Sequence, residues 1–275
     1  MLRSLVGSEM CIRDRETYTL ETGASLLVTD TFLSISFEKP RHSLSTAIFG
    51  GGFKEIRHAV NQKLTEYHDR EDQFPGGSIP AYLEIMLKKN GFDPKDSCAL
   101  LTSARMDYFS RTIRRDKELV IEVITTGGVE KTAARAASAP LYGEDHGRFY
   151  PVGTINITVI VNGHLLPNIM ARTLITITEA KTAALQDLGI ADVNNGLPAT
   201  GTATDGITLI TNPTAAPYTD AGTFSVFGSL VAESVHETVT HCLTAFETPW
   251  NQFASLRTPP AVDVRKIKER TKGTY

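Results

Sequence analysis

The sequence predicts an α/β or α+β fold: a single domain in which a mixed β-sheet is covered by helices. Three observations carry this. Apolar, β-branched runs such as ELVIEVITT (118–126) and ITVIV (157–161) are bounded by Gly, Pro or Asn turns and read as strands. Between them lie stretches with apolar residues three and four apart, which read as amphipathic helices. No internal repeat or shift in composition divides the 275 residues, a length that can bury one substantial core.

Charge and composition narrow the partners. The 28 basic and 31 acidic side chains give a net charge of −3 and are spread along the chain, so no basic stripe calls for a nucleic acid. No apolar run reaches the roughly 18 to 20 residues that a bilayer demands, so no membrane partner is expected. Residues 1–15 stand apart, because SLVGSEMCIRDR (4–15) looks like one translated frame of a sequencing-library adapter. With Cys11 in that segment, Cys98 and Cys242 remain, too far apart in sequence for a metal clamp. Two buried thiols in a reducing cytoplasm are the expectation.

Taken in order, YTLE (18–21), SLLVT (25–29) and FLSISF (32–37) supply two or three strands. LSTAIFGGG (44–52) is a strand running into glycines. Ile56, Ala59, Val60, Leu64 and Tyr67 then predict an amphipathic helix over 54–71. Gly50, Gly51 and Gly52 thus form either a loop whose N–H groups bind an anion or carbonyl oxygen, or a tight turn. Glu55 stands where a dinucleotide fingerprint requires glycine, and no GxxxxGK[ST] motif occurs. Residues 79–90 form a helix closed by Gly91.

CALLTSA (98–104) reads as a buried strand, and Met106–Ile113 with 118–126 as a hairpin. The Ala-rich EKTAARAASA (130–139) predicts a short helix, and 140–151 is a loop that serves as a lid or as ordinary surface. GTINITVIVN (153–162) is a strand. Pro167 opens a helix that runs to Leu188 and stops at Gly189. ITLIT (207–211) is a further strand, and Val231, Val235, Val239 and Leu243 mark a final helix over 224–246. The domain is therefore expected over 16–248, with 249–275 a tail.

Candidate chemistry concentrates in ATGTATDG (199–206). On a regular strand Thr200, Thr202 and Thr204 share one face and Asp205 lies on the other. For Asp205 to meet a Thr hydroxyl, Gly201 and Gly206 must break the strand into a loop. Amide hydrolysis requires a nucleophile, a base and donors for the oxyanion. Asp205 is the candidate base, Thr200, Thr202 and Thr204 the candidate nucleophiles or positioning groups, and Asn156 a candidate donor. The alternative is turn chemistry, with Asp bonding its own backbone. Glu179 and Lys181 sit two apart on a helix and cannot share a pocket. Lys181 is either a partly buried catalytic amine or a snorkelling side chain. No metal site is expected: HExxH is absent, and Glu233, His236, Glu237 and Thr240 fit the wet edge of a helix.

Together LSTAIFGGG, Asn61, LLTSARM (100–106), ITTGGV (124–129), GTINITVIVN, EAKTAAL (179–185), ATGTATDGI and FGSLVAESV (227–235) resemble the adenosylcobinamide amidohydrolase family over about residues 30–246. The resemblance implies hydrolysis of the amide joining the aminopropanol arm to the corrinoid ring, giving adenosylcobyric acid for cobamide salvage. The cobalt-containing corrinoid is then substrate, and no further cofactor is implied. Motif residues Ser45, Gly50, Gly51, Gly52, Asn61, Thr126, Gly127, Gly153, Thr154, Glu179 and Gly201 become candidate substrate contacts. A corrinoid-binding module without catalysis and an amidase of unrelated substrate are the alternatives.

Overall fold

The computed structural model describes residues 15–66, 68, 70–129, 132–138 and 153–244. The leader except Arg15, the candidate lid at 140–151 and the tail at 249–275 lie outside them. Nine strands hydrogen-bond into one curled mixed sheet: β1 (Glu16–Thr19), β2 (Ser25–Val28), β3 (Phe32–Ser45), β4 (Gly52–Lys63), β5 (Ser97–Thr102), β6 (Ser110–Asp116), β7 (Leu119–Gly127), β9 (Ile155–Val161) and β12 (Gly206–Thr211). Short strands β8 (Ala133–Ala134) and β11 (Gly201–Thr202) pair with each other, as do β10 (His164–Leu165) and β13 (Pro217–Tyr218). The helices are α1 (Ile79–Lys89), α2 (Pro167–Asp187) and α3 (Val226–Thr244).

The order is β1-β2-β3-β12-β9-β7-β6, with β4 pairing to β3 and carrying β5 on its far side. β9 and β12 are parallel neighbours. A parallel pair requires a long crossover, and α2 lies within it.

Strand alternation shows how the sheet is covered. On β9, Ile155, Ile157, Val159 and Val161 join the core under α2 and α3, which also takes Ile207 and Leu209 from β12. The opposite face, with Ile124, Ile160 and Ile210, packs on Ile35, Ile56, Ala59, Cys98 and Leu100 from the curled-over strands. Val60 and Ala99 on the outside of that second layer meet Tyr82, Leu83 and Leu87 of α1. Helices thus cover both outer faces of a sheet folded onto itself. Helix α1 is as expected: the Ser78 hydroxyl accepts from Ala81 N at 3.2 Å and Gly91, at φ 84°, ends it. Cys98 and Cys242 are free and buried.

Two helix expectations are corrected. Residues 54–63 belong to β4, not to an amphipathic helix. Pairing with β3 jumps from Ser36↔His58 to Arg41↔Ile56, so a bulge bends the ladder and shifts its phase. Ile56 and Ala59 consequently enter the same core although three apart, while Val60 faces α1. Burial on both faces after a bulge imitates helical spacing. The second correction concerns 132–138, which forms a strap rather than an Ala-rich helix.

The strap's backbone groups are claimed by neighbours. Arg135 N donates to Asp192 Oδ2 (2.8 Å), Ala136 N to Thr200 Oγ1 (2.8 Å), and Thr200 N to Ala134 O (3.0 Å). The Asp192 carboxylate also accepts from Asn194 N (2.8 Å) and the Ser138 hydroxyl (2.7 Å). These bonds lower its pKa from 3.8 to about 2, the Asn194 amide contributing most and the Ser138 hydroxyl next. Tertiary partners here outweigh alanine's helix propensity.

Two predictions follow from these anchors. Glu122 on β7 is fully buried and accepts from Thr22 N (3.0 Å), Thr22 Oγ1 (2.6 Å) and Arg111 Nη2 (2.6 Å). Glu122→Ala strands those donors and should lower stability by about 3 kcal/mol in urea unfolding, with the m-value unchanged. Asp192 has a depressed folded pKa, so its contribution is complete above pH 3.8 and fades as pH falls through about 2. Hydrogen exchange at the Arg135 and Ala136 amides should therefore accelerate across that acidic window, and in Asp192→Ala it should be fast already at neutral pH.

Candidate active site

The three sequence clusters meet at the end of the sheet where β9 and β12 begin. Gly206 is paired with Asn156 across the two strands, so the turn that precedes β12 lies against the residues that precede β9. Helix α2 returns to the same end with Ala180, Ala184 and Leu185 packed on the sheet. That packing directs Lys181 at the turn, and its ammonium forms an ion pair with Asp205 Oδ2. The Lys181 and Asp205 side chains are 8% and 10% exposed, nearly but not wholly withdrawn from water.

Asp205 is held from every side. Oδ1 accepts from Ile155 N (3.0 Å) and from the Thr202 hydroxyl (2.5 Å). Oδ2 accepts from Thr202 N (3.0 Å) and Lys181. Four donors occupy the roughly four lone-pair positions of a carboxylate. The loop expected at Gly201–Gly206 is present, since Asp205 and Thr202 meet across it, as a regular strand forbids. Small residues make this possible. A Cβ on Gly201 would overlap Asp205 Oδ2 and come within 2.6 Å of Lys181 Nζ, and one on Gly206 would lie 2.6 Å from Asn156 Oδ1.

The three threonines separate. Thr202 serves Asp205, Thr200 Oγ1 accepts from Ala136 of the strap, and Thr204 Oγ1 donates to Gly153 O at 3.2 Å. Thr154 Oγ1 returns the last contact by donating to Thr204 O at 2.7 Å. Gly153 is hemmed in, because a Cβ there would overlap Gly128 O and Thr132 Oγ1.

Beneath the turn runs a buried amide chain. Asn156 Nδ2 donates to Asn61 Oδ1 (2.8 Å) and Leu101 O (3.0 Å), and Asn61 Nδ2 donates to Thr126 Oγ1 (2.6 Å). Asn61, Thr126 and Asn156 are buried, so this chain bolts the two sheet layers together directly below the ion pair. Gly127 follows on β7, facing Leu243 and Cys242 of α3.

The remaining candidates lie farther out. The Ser45 hydroxyl meets Thr208 Oγ1 at 2.7 Å and accepts from Ala47 N at 3.1 Å, tying the β3–β4 hairpin to β12. Gly50 and Gly52 adopt φ of 65° and 83°, and a Cβ on Gly50 would overlap Ser97 O, so the hairpin geometry by itself demands glycine at 50. Glu179 is exposed on α2, away from the face that carries Lys181. Its helical phase turns it away from Lys181, as the two-residue spacing requires. Sequence spacing alone gave no sign of the Lys181–Asp205 pair, because the contact depends on where α2 crosses the sheet.

Among the described residues no group of three or more His, Cys, Asp or Glu is arranged to hold a metal ion. On that edge of α3, Glu233 and Glu237 pair with Arg114, and His236 with Asp187 at 2.8 Å. Among the same residues no helix is long and apolar enough to cross a membrane. An open depression of about 440 Å³ adjoins the strap, lined by Arg135, Gln186, Ile190 and Pro198 among others. Arg135 Nη1 donates to Pro198 O at 3.0 Å across it, so the strap is a wall shared by the depression and the Asp205 turn.

The uncharacterized protein MJ1613 of Methanocaldococcus jannaschii is 31% identical over 248 residues, which cover 82% of this chain and 90% of that protein. Two solved structures are more remote. The PH0078 protein of Pyrococcus horikoshii OT3 superimposes with a TM-score of 0.42 at 9% identity, and a Burkholderia sp. beta-aminopeptidase with 0.38 at 10%, each covering 83% of this chain and 81% of its own. Likenesses that distant carry no argument about activity. The family model described as adenosylcobinamide amidohydrolase matches residues 14–248, a span that contains every element of the sheet and the whole Lys181–Asp205 cluster, and the chain belongs to that family.

Proposed function

We propose that the protein hydrolyses the amide joining the aminopropanol arm to the corrinoid ring of adenosylcobinamide or a related cobamide, releasing adenosylcobyric acid for cobalamin synthesis. Family membership supports an amidohydrolase. The observation that carries the site is the meeting of a largely buried lysine with an aspartate that also accepts from a threonine hydroxyl and from the Ile155 amide, groups drawn from three separate sequence motifs. In the reaction, the oxygen of water joins the carbonyl carbon, the C–N bond breaks, and the water protons leave with the amine as its ammonium. Charge develops on the carbonyl oxygen as the tetrahedral centre forms. Fixed donors in a site of low water content stabilise that charge more than water does.

The partner is accordingly a corrinoid small molecule, and the compartment a reducing cytoplasm. Two free buried thiols suit that setting: burial pushes Cys98 up to about 11 and Cys242 up to about 12.

Incubation with adenosylcobinamide should yield adenosylcobyric acid on chromatography, with one ¹⁸O atom in the new carboxylate when the solvent is labelled water. Corrinoid binding without product would instead mark a non-catalytic binding module. Faster turnover of simple amides would mark an amidase of another substrate. Gly201→Ala should reduce turnover by about 10²-fold, because its methyl group parts Lys181 from Asp205, while circular dichroism stays native.

A further inference from the structure

Resting on the amide-hydrolysis reading, we propose that Lys181 is the catalytic group that binds the substrate's carbonyl oxygen, and that Asp205 is a positioning residue rather than the general base. The argument is a count of donors and acceptors at one pair. The Asp205 carboxylate already accepts from Ile155 N, Thr202 N, the Thr202 hydroxyl and Lys181. With those sites filled, a proton arriving from water or substrate must displace a native hydrogen bond. A base requires a free lone pair within reach of the proton it takes.

Lys181 is in the opposite condition. An ammonium has three N–H donors. Among the described residues its acceptor is Asp205 alone, so two of its N–H bonds are claimed by none of them. Gly201 keeps the space around Nζ clear, since the Cβ of any other residue would sit 2.6 Å away. Both side chains keep a small exposure, 8% for Lys181 and 10% for Asp205. A largely buried cation fixed at one corner by a saturated carboxylate, with two donors that no described residue claims, suits an oxygen that gains negative charge. That oxygen is the same whether water or the Thr202 hydroxyl attacks, so the role of Lys181 does not depend on the nucleophile, whereas the exclusion of Asp205 as base is made for attack by water, since the Thr202 hydroxyl already donates to Asp205 Oδ1.

Asp205 then acts through Lys181. It supplies the counter-charge that keeps the ammonium in a site it would otherwise leave for water, and it fixes its direction. Ile155 N and Thr202 fix Asp205 in turn.

The test compares steady-state turnover of adenosylcobinamide by wild type, Lys181→Met, Asp205→Asn and the double variant, with folding checked by circular dichroism and urea unfolding. Lys181→Met should lower kcat by about 10²- to 10³-fold with KM changed little, the loss expected for one oxyanion donor. Asp205→Asn should lower kcat by a similar factor, and the double variant should be no worse than either single, because both act as one unit. In Lys181→Ala, added ethylammonium should restore at least about tenfold of the lost rate with saturation, which a purely structural lysine would not allow. Should Lys181→Met retain turnover within a few-fold of a productive wild type, or should the two losses multiply, the assignment fails while amide hydrolysis stands. If wild type forms no adenosylcobyric acid, the substrate reading fails and the assignment falls with it.

Discussion

The ion pair between Lys181 and Asp205 is the constraint from which the site's local structure follows. Two opposite charges taken almost out of water lose several kcal/mol of hydration each, and their attraction offsets that loss only when the remaining hydrogen-bonding capacity is filled. Asp205 meets the condition by accepting from the main chain of β9, from the main chain and hydroxyl of Thr202, and from α2. Each of the three sequence clusters therefore contributes one indispensable part. GTIN brings the Ile155 amide, EAKTAAL the lysine, and ATGTATDG the carboxylate with its threonine. Their glycines belong to the same requirement, because side chains at 201 and 206 would occupy the volume of the pair and of Asn156.

The support below the pair has a parallel logic. Asn61, Thr126 and Asn156 sit between two sheet layers, where an unmatched amide would be costly. They avoid the cost by bonding one another and Leu101 O, spanning β4, β5, β7 and β9. A polar chain of this kind fits one alignment of the layers and no other, since a one-residue slip of β9 would turn Asn156 toward the α2–α3 core. The register that satisfies the amides also sets Ile155 N under Asp205.

Much of this was legible in the sequence, and the parts that were not share a cause. The strands at 118–126 and 153–162, helices α1, α2 and α3, and the loop at Gly201–Gly206 follow from local pattern, because period and turn chemistry are local properties. Residues 54–63 imitate a helix because the bulge at Ser36–Arg41 of β3 shifts the phase of β4, an event written in the partner strand. The strap at 132–138 departs from its helical composition because Asp192 and Thr200, distant in sequence, claim its backbone. Lys181 carried no signal toward Asp205, for nothing on α2 encodes where the helix crosses β12. Helical phase did separate Lys181 from Glu179, and it separates them in the structure.

The packing also explains why a lysine can occupy this position on α2. Its neighbours Ala180 and Ala184 bring the helix close to the sheet, so the lysine stem spans apolar surface before its ammonium reaches the turn. An arginine would bring a planar fork and a larger head into a space already bounded by Gly201 and the Asp205 carboxylate. Lysine's compact ammonium needs less of that space. The close approach of α2, the missing side chain at Gly201 and the saturation of Asp205 are thus three aspects of one arrangement, in which a cation is held on one side by Asp205 and, among the described residues, meets no second acceptor.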